Sequence, residues 1–112
     1  MFIVILILTF LTSCSGKDTV VEFSNPDIQI VTFYFKDRIP QKVESLFIGS
    51  SQTTVEINVY DYVEKGGNIY AVGEDGYTVL NTRTKLYKKS RTLEGFDQND
   101  QRILSGLNLK RN

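Results

Sequence analysis

A mainly β domain, with α+β as the alternative class, is the fold this sequence predicts: an antiparallel meander of about five to seven strands and a short C-terminal helix. Three observations carry that expectation. The stretch "TTVEINVYDYV", residues 53–63, alternates apolar and polar side chains with the period of a strand. Asp75-Gly76, set between two apolar runs, is a strong short hairpin signal, because a tight turn needs a residue that accepts positive φ. "FDQNDQRILSGLNLKRN" then switches to helical spacing, with Ile103, Leu104 and Leu107 on one stripe.

Composition bounds the rest. The chain has 112 residues, enough for one domain with one modest core. Its 13 basic and 13 acidic residues leave no net charge, so no global field draws it to nucleic acid. It has no histidine, no tryptophan and one cysteine, which removes imidazole acid/base work, histidine metal ligation and an internal disulfide. No metal and no cofactor are expected, and no catalytic residues. The residual alternative is a carboxylate-based hydrolase using a pair such as Asp61 and Glu64 or Glu74 and Asp75, but carboxylates are expected in turns anyway.

The elements follow in order. Phe2 to Leu11 are apolar except for Thr9. As a helix this run spans only about 15 Å, against the roughly 30 Å of a bilayer core. Its length suits the apolar region of a secretory signal. The alternatives are a buried element of the domain with Cys14 as a small apolar filler, and an uncleaved anchor. Directly behind it, Leu11-Thr12-Ser13-Cys14 resembles the lipobox of bacterial lipoprotein precursors. That resemblance implies a diacylglyceryl group on the Cys14 thiol and cleavage between Ser13 and Cys14. It also implies acylation of the new amino terminus, so that two or three chains hold the protein on a membrane. One departure from the pattern is that only Met1, and no Lys or Arg, precedes Phe2, which leaves either an upstream start or a weak export signal. Residues 1–13 are thus expected as signal peptide, 14–19 as a lipidated flexible tether and 20–112 as the domain. Ser15 is not acidic, which favours the outer membrane in an organism that has one.

In the domain, Val20, Val21 and Phe23 suggest a short strand that stops at Asn25-Pro26. "DIQIVTFYFK" has apolar residues on both faces and reads as a central strand. Val43 to Ile48 fits either a helix behind Pro40 or a strand, with the strand favoured. Residues 53–63 read as one half-buried strand, with Val55, Ile57, Val59 and Val63 on one face and Tyr60 and Tyr62 on the wetter one. Across Asp75-Gly76 the expected partners are Val72 with Val79 and, on the opposite face, Ala71 with Leu80. "KLYKKS" reads as a basic edge strand, its lysines discouraging edge-to-edge association. Asp97 caps the terminal helix, with Asp100 in its first turn and Gly106 as a point of interruption.

Candidate chemistry is sparse. "IYAVGEDGYTVLNTRTKLYK" resembles one blade of the quinoprotein-type β-propellers, but it lacks a glycine in its second turn and has no second copy, so it reads as a plain meander. Asp97-Gln98-Asn99-Asp100 lacks the later ligands of a calcium loop and is explained by the helix cap. Gly73 to Gly76 lacks the length and lysine of a phosphate loop. The tyrosines stand out: Tyr60, Tyr62, Tyr70 and Tyr77 are candidates for a partner-contact face, although such rings also shield the outer side of a sheet. Lys85, Lys88, Lys89 and Arg91, on a stretch without acids, are the second candidate surface, or else a solvated edge.

The expectation is therefore a non-enzymatic, lipid-anchored binding module of the bacterial envelope. Its partner would be a protein or cell-wall polymer. Two narrower roles fit the same sequence: an immunity or inhibitor lipoprotein that neutralises a toxin or hydrolase, and a structural part of an envelope assembly.

Overall fold

The computed structural model describes residues 17–34, 37, 39 and 41–109. The signal segment, Ser13 and Cys14 lie outside them. Among the described residues the chain is mainly β, with eight strands in two antiparallel four-stranded sheets. The first sheet is β1 Lys17–Glu22, β2 Ile28–Tyr34, β3 Lys42–Ile48 and β4 Thr53–Glu56, in that spatial order. The second is β5 Val59–Lys65, β6 Asn68–Gly73, β7 Gly76–Asn81 and β8 Tyr87–Ser90, again in order. A 3₁₀ turn at Leu93–Gly95 leads into helix α1, Gln98–Ser105. No helix among the described residues is long and apolar enough to cross a membrane.

The sheets pack face to face. Ile28, Ile30, Leu46, Ile48 and Val55 from the first meet Val59, Ile69, Ala71 and Leu80 from the second in one core, which Phe23 closes at the side. Each fully buried aliphatic side chain there contributes about 1.5–3 kcal/mol. The other face of the second sheet is also covered. Tyr70 is buried there with Phe96 and Leu104, and Tyr77, Val79, Leu93, Ile103 and Leu107 pack around them. Among the described residues these elements form three layers: sheet, sheet and helix.

The ambiguous segment is strand β3, and β2 lies centrally between β1 and β3. β1 begins at Lys17, so residues 17–19, expected in the tether, already belong to the sheet. Residues 53–63 are not one strand. They divide at Ile57-Asn58 into β4 and β5, which lie in different sheets. Asn58 turns the chain at φ 52, a left-handed conformation that asparagine tolerates better than most residues. Gly73 makes room for the crossing, since a Cβ there would stand 2.8 Å from Glu56 Cγ and 2.9 Å from the Asn58 carbonyl oxygen.

The β6–β7 hairpin reverses on Glu74 and Asp75 and not on Asp75-Gly76. Gly73 pairs with Gly76, and the positive φ of 116 falls on Gly76 after the turn. Val72 consequently faces Tyr77, Tyr70 faces Val79 and Ile69 faces Leu80. The expected pairs are off by two residues. A shift of two preserves the face of every side chain, so Ala71 and Leu80 still share the core.

Candidate functional site

The terminal helix and the strands beneath it carry the candidate site. Asp97 Oδ1 accepts the Asp100 N–H at 2.8 Å and caps α1. Ile103, Leu104 and Leu107 then press the helix onto the outer face of β6 and β7. Tyr70, 2% exposed, lies underneath and donates its hydroxyl to Asp100 Oδ1 at 2.9 Å. Burial pushes the phenol pKa up despite an opposing hydrogen bond from Asn68, so the group stays a proton donor.

Two adjoining hollows flank this hydrogen bond, and both are lined by Asn68 and Asp100. One, of about 420 Å³, opens between Tyr70 and the first turn of the helix. The other, of about 300 Å³, opens between Phe96 and the edge strand β8. At the edge of the second hollow Lys88 Nζ lies 5.6 Å from the Phe96 ring centroid, a cation–π distance. Leu86 and Tyr87, which line this hollow, are 73% and 44% exposed. An apolar side chain, a ring, an ammonium group and a carboxylate thus share one mouth. Such a set suits recognition by stacking and hydrogen bonding. Among the described residues no group of three acidic, histidine or cysteine side chains is placed to hold a metal ion.

The predicted contact residues are distributed unevenly. Tyr70, Tyr77 and Lys88 come together around the helix. Tyr60 is the extra residue of a bulge in β5, because Val59 pairs with Gly73 and Asp61 with Val72. The bulge turns Tyr62 inward, where its ring meets Phe23 edge-on at 5.4 Å. The four tyrosines therefore do not share a face. Lys85 Nζ pairs with Asp27 Oδ2 at 2.6 Å and joins the two sheets. Lys89 lies 3.8 Å from Glu56 and 3.7 Å from Asp75. Arg91 is exposed.

Sequence reasoning did not single out Asn68, Leu86 or Phe96, nor the buried Glu56. The Glu56 carboxylate accepts the Asp75 N–H and the Thr78 hydroxyl, each at 3.2 Å. Desolvation raises its pKa, and the Lys89 ammonium only partly opposes this. It fastens β4 to the β6–β7 hairpin. Nothing in the sequence marks it, because Glu56 falls in the polar row with Thr54, Asn58, Tyr60 and Tyr62, where a solvent-facing position is expected.

No family model matches the chain, and no curated protein or solved structure matches it.

Proposed function

We propose that this chain is a lipid-anchored, extracytoplasmic binding module of the bacterial envelope, without catalytic activity of its own. The observation that carries this reading is Leu11-Thr12-Ser13-Cys14 directly behind the apolar run Phe2 to Leu11. Cleavage before Cys14 and acylation of its sulfur and amine would hold a water-soluble sandwich at a membrane face. The outer membrane is favoured where there is one. The groove beside β8 is the contact surface, with Leu86, Tyr87 and Lys88 at its mouth, and the partner is a protein or a cell-wall polymer. Leu86 supports this placement, because a leucine so exposed next to a hollow gains by being covered.

Two measurements test the reading. Mass spectrometry of the mature amino terminus should show Cys14 carrying lipid, and Cys14→Ser should release the protein from envelope fractions; an unmodified Cys14 on a full-length chain refutes the anchor. A photo-crosslinking residue at position 87 should capture one envelope component that the same residue at position 60 does not. Equal capture at both positions refutes the groove.

A further inference from the structure

We infer that the end of the first sheet formed by Tyr34, Ile39 and Lys42 is a second, non-covalent membrane contact that rests on the lipid surface and fixes how the domain stands on it. This rests on the lipid-anchor reading above.

The ladder of the first sheet brings this end to the anchor. Lys17, the first residue of β1, pairs with Phe33 near the end of β2, and Phe33 pairs with Val43 at the start of β3. Cys14 precedes Lys17 by three residues, and three extended residues reach at most roughly 11 Å. Acyl chains on that cysteine therefore enter the bilayer within a short distance of the β2–β3 connection. So short a link cannot lift this end away from the surface.

Three of the side chains at this end suit an interface, beside the exposed carboxylate of Asp37. Ile39 is 98% exposed, the most exposed of the large apolar residues described, although it costs free energy to keep in water. Tyr34, 55% exposed, has an apolar ring with a polar tip, a form that settles at headgroup level. Lys42 is its cross-strand partner and is exposed, an ammonium group placed to meet anionic headgroups. An aliphatic side chain, an amphipathic ring and a cation, all held beside a lipid anchor, match the chemistry of a bilayer boundary.

The opposite end of the sheet differs. Its β3–β4 turn is built from Gly49, Ser50, Ser51 and Gln52, and Asp27 accepts hydrogen bonds from the Ser50 N–H and hydroxyl at 2.7 and 2.6 Å. Along the seven residues of β2 the two ends stand about 20 Å apart. The anchor therefore presents the domain end-on, with its serine-rich turn outward.

The chain has no tryptophan, so one introduced indole reports its own depth. Lipidated Ile39→Trp and Ser51→Trp proteins are incorporated into vesicles of phosphatidylethanolamine and phosphatidylglycerol containing brominated acyl chains, and flotation and indole emission are recorded. Both positions are exposed, so neither change disturbs the core. The expected result is flotation of both, with the indole of Ile39→Trp losing about half its emission, as for a side chain roughly 5–10 Å into the boundary, and that of Ser51→Trp keeping its own. Flotation without selective quenching at position 39 overturns the contact and leaves the anchor standing. Failure of the mature chain to carry lipid or to float overturns both.

Discussion

The Tyr70 hydroxyl donates to Asp100 Oδ1 at 2.9 Å, and this bond ties the first turn of the terminal helix to the middle of the second sheet. Its acceptor, Asp100, lines both hollows of the groove. Tyr70→Phe keeps the ring and removes the donor, at a cost of about 1–2 kcal/mol, since the acceptor is a carboxylate. For a domain of this size each kcal/mol lowers Tm by roughly 4–8 °C. Calorimetry of the two proteins measures the difference, and an unchanged Tm removes this bond from the account of how the helix is held.

Asp97 should matter by a different route. Asp97→Ala leaves the Asp100 N–H without its capping oxygen and should cost about 1 kcal/mol. Helix α1 packs by one short apolar stripe, so the loss should appear first as faster amide exchange between residues 98 and 105. Uniform protection across the helix in this variant speaks against the cap.

Two glycine changes should act in opposite directions. At Gly73 a Cβ collides with Glu56 and with the backbone of the β4–β5 crossing, so Gly73→Ala should destabilise by about 1–3 kcal/mol. At Gly106 the backbone is right-handed and the nearest atom is 3.5 Å away. Gly106→Ala should therefore stabilise by about 0.4–1 kcal/mol by restricting the unfolded chain. Denaturant midpoints at constant m decide both.

Glu56 predicts a pH dependence of definite sign. Burial raises its carboxyl above the ordinary value of 4.5, so the folded state holds this proton more tightly than the unfolded chain. Its effect on unfolding free energy is most favourable below that range and declines as pH rises through it toward neutrality. Glu56→Gln should abolish that decline, and melts between pH 4 and 7 measure it. Asp27 acts in the opposite sense and lower down: hydrogen bonds from Lys85 and Ser50 hold its carboxyl below 3.8, so its contribution is present above that value and is lost as pH falls past it. A parallel pH profile in wild type and Glu56→Gln would argue that Glu56 is ionised without penalty.

What the sequence revealed followed from what its signals measure. Alternation located the strands, and the Asp97 cap with the Ile103, Leu104 and Leu107 stripe located the helix, because both patterns report local geometry. Alternation cannot say when a chain leaves one sheet for another. The apolar row continues unbroken from Val55 through Ile57 to Val59, while one left-handed residue, Asn58, divides it between two layers. The same limit hid the site. The bulge at Tyr60 reversed the face of Tyr62, and Tyr70 was buried by a helix 30 residues further along the chain. The hairpin was legible but its register was not, since a glycine of positive φ can stand within a turn or just after it.

The crossing at Asn58 has a kinetic consequence. Every ladder on either side of it joins strands that are neighbours along the chain, so zippering within each half closes only short loops and loses little entropy. The slow event left is the mutual docking of two preassembled halves, and a chain synthesised amino end first completes the leading half before the trailing one emerges.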